Sequence, residues 1–124
     1  MSARARFHIK HVALPSSDIE TSVRFFQTFG FETGFSKLDE SGQLDLQQMG
    51  CGSCFVELIR TESTPQASGW HLGLSVDDIA FALDILAKEG LFPMGPVRRG
   101  VSGVDYVFFK DPSGNLIEIT AAVP

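Results

Sequence analysis

The sequence predicts an α+β fold built from two copies of one βαβββ module. Three observations carry this: a sixty-residue internal repeat, apolar spacing that alternates between strand and helix periods in the same order in both halves, and turn residues at matching points. His11-Val12-Ala13-Leu14-Pro15-Ser16-Ser17-Asp18-Ile19 lies over His71-Leu72-Gly73-Leu74-Ser75-Val76-Asp77-Asp78-Ile79 without a gap. Leu14 falls on Leu74, Asp18 on Asp78, Val23 on Leu83, Gly30 on Gly90 and Phe31 on Leu91. Later in each half, Phe55-Val56-Glu57-Leu58-Ile59 matches Leu116-Ile117-Glu118-Ile119-Thr120, displaced by one more residue. Two copies are too few for a solenoid. Residues 1–124 therefore read as one domain of two modules, about 7–60 and 70–120, with the polar stretch 61–69 as linker.

Each half opens with a strand, Phe7–Leu14 or Trp70–Val76. A helix follows. Ser17-Asp18-Ile19-Glu20 has the form of a capping box with Ser17 at the cap, and Asp77 holds that position in the second copy. Ile19, Val23 and Phe26 recur at helical spacing, as do Ile79, Leu83 and Leu86, so each helix offers one face to the core. Gly30 and Gly90 stand where a helix C-terminus favours a left-handed residue. Three strands complete each half: Phe31–Ser36, Leu44–Met49 and Phe55–Arg60, then Pro93–Arg98, Tyr106–Phe109 and Asn115–Thr120. Asp111-Pro112-Ser113-Gly114-Asn115 supplies the last turn.

Composition bounds the function. With 124 residues, 44% of them hydrophobic and 20% charged, the chain has the make-up of a globular domain. At that size it buries roughly two-thirds of its unfolded surface and needs no metal or disulfide merely to fold. A net charge of −5 argues against nucleic acid or a membrane surface as the main partner. No apolar run reaches the ~20 residues of a membrane span, and the N-terminus lacks the apolar stretch of a signal peptide. Two cysteines are too few for a secreted disulfide scaffold, so a cytoplasmic location with reduced thiols is expected.

Strand alternation then sorts the polar residues. His11 shares a face with Ile9 and Ala13, while Val12 and Leu14 point to the helix. His71 shares a face with Gly73 and Ser75. Glu57 lies opposite Val56 and Leu58, and Glu118 opposite Ile117 and Ile119. Each module thus sends one His and one Glu away from its helix. A single strand histidine is more often a hydrogen-bonded residue than a ligand, and a single glutamate in an apolar run is often half of a salt bridge. The repeat sets His on His and Glu on Glu, however, and one His2Glu2 site accounts for all four. Four ionisable groups inside one sheet system are costly without compensation, and a divalent cation provides it.

At these residues the chain resembles the vicinal-oxygen-chelate superfamily of glyoxalase I, methylmalonyl-CoA epimerase, extradiol dioxygenases and bleomycin-resistance proteins. The motifs are His11-Val12-Ala13-Leu14 with Asp18 to Gly30-Phe31, His71 to Asp78, and Phe109-Lys110-Asp111-Pro112-Ser113-Gly114-Asn115-Leu116-Ile117-Glu118. The resemblance implies two βαβββ modules paired into a cupped mixed sheet, with His11, Glu57, His71 and Glu118 on the family's four metal positions. It also implies a homodimer, often with the cup built from modules of both chains. Bleomycin-resistance-type binders generally lack the ligand set, and extradiol dioxygenases need a further histidine. The only other one here, His8, lies three residues from His11, on the opposite strand face. An acidic residue at position 57 looks like the glyoxalase I branch, whereas the epimerase branch usually has Gln there.

The expected activity is therefore a metal-dependent lyase or isomerase acting on a small bidentate oxygen substrate through an enediolate. Glu118 or Glu57 carries the proton, and Zn, Ni, Co, Mn or Fe in the +2 state suits the donors equally. The alternative is a metal-independent protein binding an antibiotic or other small molecule; epimerase and extradiol dioxygenase activities rank below both. Cys51 and Cys54 form a C-x-x-C pair, but Gly50-Cys51-Gly52-Ser53 reads as a strand-to-strand turn, not the strand-to-helix junction of redox folds. Arg98-Arg99 is either a solvated loop pair or a seat for an anionic substrate tail. No residue motif names the substrate.

Overall fold

The computed structural model describes residues 10–62, 71–100 and 103–122. Phe7, His8, Ile9, Trp70 and most of the expected linker lie outside the described residues. The elements run β1 (His11–Ser16), α1 (Ile19–Thr28), β2 (Glu32–Leu38), β3 (Leu44–Cys51) and β4 (Cys54–Arg60). The same order repeats as β5 (Leu72–Ser75), α2 (Ile79–Lys88), β6 (Arg98–Arg99), β7 (Val104–Lys110) and β8 (Leu116–Ala122). They form two four-stranded sheets, ordered β1-β4-β3-β2 and β5-β8-β7-β6. In each, the first strand pairs parallel with the last and the remaining pairs are antiparallel. The α+β architecture of two βαβββ modules is the one expected.

Helix starts fall one residue later than the capping-box reading. Asp18, not Ser17, caps α1, its carboxylate accepting from the Thr21 N–H at 3.1 Å. Asp78, not Asp77, caps α2 through the Phe81 N–H at 3.0 Å. In both, the acceptor reaches the third helical amide, and the hydroxyl of Ser17 is not needed for that bond. The helix ends match expectation. Gly30 and Gly90 adopt φ of +89° and +80°. Phe31 N–H reaches back to Phe26 O while Gly30 N–H bonds Gln27 O, a Schellman closure that Leu91 and Gly90 repeat in α2. The Phe26 and Phe31 rings meet edge-on at 5.4 Å, the apolar contact that accompanies this motif.

The strand expected over Pro93–Arg98 shrinks to two residues. Pro93 and Pro96 lack amide donors, and before Arg98 a single bond to β7 remains, from Met94 N–H to Phe108 O at 2.8 Å. β5 is also shorter than expected, Leu72–Ser75, and β1 extends two residues past Leu14 to Ser16, while β2, β3, β4, β7 and β8 run one to three residues longer than expected. β3 runs on to Cys51 and β4 begins at Cys54, because Gly52, at φ +65°, turns the chain in two residues.

One apolar cluster joins the modules. Leu14, Phe26, Met49, Val56 and Leu58 from the first pack with Leu86, Val107, Phe109, Ile117 and Ile119 from the second. The Phe29 ring at the end of α1 stands edge-on to Phe109 at 5.8 Å, so α1 bridges to the other module's sheet. A polar clasp reinforces this. Ser113 Oγ accepts from Ser17 N–H at 3.1 Å, and Asn115 Nδ2 donates to Pro15 O at 3.0 Å. Both are oriented by Asp111, whose Oδ1 accepts from the amides of Ser113 and Asn115. Burial pushes the Asp111 carboxyl above the usual carboxylate range, against the pull of these hydrogen bonds.

Candidate metal centre

The core fixes where the four candidate ligands point. Val56 and Leu58 are buried in the common cluster, so Glu57 between them projects from the other face of the first sheet. Ile117 and Ile119 do the same for Glu118 in the second sheet. The two sheets turn their core faces towards one shared cluster, and their carboxylates face outward.

Within each module the histidine and glutamate take the same relative position. Ala13 pairs with Glu57 in the β1–β4 ladder, placing His11 two residues before the partner of the glutamate. Gly73 pairs with Glu118 in the β5–β8 ladder, placing His71 likewise. The residue beside each carboxylate is small, so the space above it stays open. In the second module His71 Nε2 lies 3.4 Å from Glu118 Oε1, with side chains 37% and 22% exposed. The pair is within reach of a ligand without being loose in solvent. Phe108, directly opposite Glu118, presents its ring edge-on to His71 at 5.3 Å.

The first module holds its pair differently. His11 stacks on Phe55 at 4.9 Å, and Gln48 Nε2 donates to Glu57 Oε2 at 3.0 Å. Gln48 is a site residue that the sequence reading missed. Its signal was the two-residue turn at Gly52-Ser53, from which counting three residues back along β3 and three on along β4 sets Gln48 across from Glu57.

The four residues do not gather in one chain. Among the described residues no three His, Cys, Asp or Glu side chains cluster closely enough to hold a metal ion. The structure brings His71 and Glu118 together and sets His11 and Glu57 as neighbours on the other sheet. It does not bring the two pairs to one point.

Cys51 and Cys54 are exposed and directly cross-strand, closing the β3–β4 turn as expected. The arginines separate. Arg99 bonds Asp105 at 3.2 Å, while Arg98 pairs with Tyr106 on the Glu118 side of the sheet. No helix among the described residues is long and apolar enough to cross a membrane.

The family model for the glyoxalase/bleomycin resistance protein/dioxygenase superfamily matches residues 8–119. The chain belongs to this superfamily. No curated protein sequence matches it significantly. Solved structures similar to it include a glyoxalase family protein from Enterococcus faecalis, at 24% identity and TM-score 0.78, covering 91% of this chain and 96% of that one. A lactoylglutathione lyase from Agrobacterium tumefaciens is similar at 22% identity and TM-score 0.71, covering 95% and 96%. A glyoxalase/bleomycin resistance protein/dioxygenase from Alicyclobacillus acidocaldarius gives 16% and 0.75, covering 94% and 92%. At these identities the likeness shows the fold alone.

Proposed function

We propose that this superfamily member is a metal-dependent lyase or isomerase of the glyoxalase I-like type, whose site forms between two copies of the chain. The observation that carries the proposal is the repeated register of His11 with Glu57 and of His71 with Glu118 on outward faces. Each face offers half of a His2Glu2 set, so the first-module pair of one copy and the second-module pair of another make a whole. Imidazole nitrogens and carboxylate oxygens suit Zn, Ni, Co, Mn or Fe in the +2 state, so the donors fit such an ion. When bound, it supplies Lewis-acid stabilisation of negative charge on the two oxygens of an α-hydroxycarbonyl or similar substrate.

The chain's own residues divide the remaining work. Glu57 is fixed by the Gln48 amide and serves as an anchored ligand. Among the described residues no hydrogen-bond donor other than His71 reaches Glu118, and its opposite neighbour is the Phe108 ring. Glu118 is the carboxylate with latitude to take a proton from one carbon and return it to the next. The small residues Ala13 and Gly73 leave room for substrate beside the carboxylates.

The reading is tested by metal analysis of the purified protein, followed by an assay with methylglyoxal and glutathione after addition of Ni, Co, Mn or Zn. Bound metal together with turnover supports it. Metal without turnover removes the glyoxalase substrate and leaves a metalloenzyme of the same class. A protein that retains no metal, and gains no activity on adding it, favours the small-molecule binder over the metalloenzyme. The failure of the four ligands to gather in one chain is the observation that favours that second reading.

A further inference from the structure

We infer that the second module carries an anion subsite, built on Arg98, that selects substrates bearing a single negative charge on an apolar body. The inference takes the position of the reacting centre from the proposal above; the subsite itself stands on its own geometry.

A cleft of about 330 Å³ opens on the Glu118 face of the second sheet, lined by Met94, Pro96, Arg98, Tyr106, Phe108 and Leu116, among others. Register puts the strand residues among them on one face: Arg98 is opposite Tyr106, Tyr106 opposite Thr120, and Phe108 opposite Glu118. Aromatic edges run continuously from the arginine's partner to the metal-site histidine. Tyr106 meets Phe108 edge-on at 5.9 Å, and Phe108 meets His71 at 5.3 Å. Two strand spacings across and two residues along put the Cα atoms of Arg98 and Glu118 about 12 Å apart.

Among the described residues Arg98 is the only cation lining this cleft. Its neighbour Arg99 is neutralised by Asp105 on the opposite face, whereas Arg98 has no acidic partner among the described residues. A guanidinium at the rim of an apolar cleft seats a carboxylate through paired N–H donors. One such group, in a chain of net charge −5, matches a single negative charge better than a phosphate dianion. The ligand class is therefore a carboxylate separated from the reacting oxygens by roughly one aromatic ring or an equivalent apolar chain.

The test is isothermal titration of the full-length chain, stripped of metal with a chelator, using 3-phenylpropanoate and its uncharged amide. The carboxylate is expected to bind about tenfold more tightly than the amide, the scale of one charge-assisted bond at a solvent-accessible rim. Arg98→Gln should erase that preference, Arg98→Lys should retain part of it, and Arg99→Gln should leave it intact. Equal affinity for the two probes, no saturable binding of either, preference persisting in Arg98→Gln, or equal loss in Arg99→Gln would each overturn the subsite. Metal retention, measured separately on untreated protein, bears on the proposed metalloenzyme and not on this preference.

Discussion

His71 Nε2 lies 3.4 Å from Glu118 Oε1 on the outer face of one sheet, and His11 stands in the same register offset from Glu57 on the other. This relationship follows from two facts of the chain. The repeat puts the same residue types on the same strands, and the apolar neighbours of each glutamate are consumed by a common core. Outward-facing His–Glu pairs are the outcome.

Glu118→Gln should lower turnover by about a hundredfold or more while metal retention falls by much less, because the amide keeps an oxygen donor but cannot accept the proton. Parallel measurement of bound metal and rate decides this. Equal loss of both would make Glu118 a ligand and nothing else.

Gln48→Leu should weaken metal retention about tenfold, the usual scale for removing a group that orients a ligating carboxylate. Gln48 donates to Glu57 across the strand pair, and no apolar side chain replaces that bond. Competition with a chelator reads the affinity; an unchanged value would detach Glu57 from the site.

Ile117→Ala should cost about 2–5 kcal/mol, since Ile117 is 0% exposed within the cluster shared by both modules. Ile59→Ala, on the outward face and 39% exposed, should cost much less. Urea titration of both variants checks the assignment of faces. Comparable losses would contradict it.

Asp111 should make a pH-dependent contribution with a defined sign. Burial raises its folded value above 3.8, so the native state holds the proton more tightly than the unfolded chain does. Its contribution is complete below that value and is lost as pH rises through the raised folded value. The stability of the parent relative to Asp111→Asn should therefore fall as pH is raised from about 3.8. A relative stability that rises over that range would show the hydrogen bonds of the clasp outweighing burial.

Much of this fold could be read from the residues. Gly30 and Gly90 announced the helix ends because only a left-handed residue completes the Schellman closure. Glu57 and Glu118 could be assigned to faces because strand alternation fixes direction within a sheet. The caps came out one residue early because Ser17-Asp18 and Asp77-Asp78 each offer adjacent acceptors, and only the reach to the third amide separates them. The strand over Pro93–Arg98 shortened because Pro93 and Pro96 have no amide to donate to a ladder. Alternation could not say how one sheet lies against the other. That depends on contacts such as Phe29 on Phe109 and Asn115 on Pro15, made between residues far apart in sequence.

In the proposed dimer, one copy's His11 and Glu57 share an ion with His71 and Glu118 of a second copy. Mixed dimers test this sharing. His11→Ala and His71→Ala proteins, each deficient in metal alone, are unfolded together, refolded at equal concentration and analysed for bound metal. Random pairing makes half of the dimers mixed, and each mixed dimer regains one of two sites, so metal should return to about a quarter of the wild-type level. No recovery, in mixtures shown to contain mixed dimers, would contradict a site shared between chains.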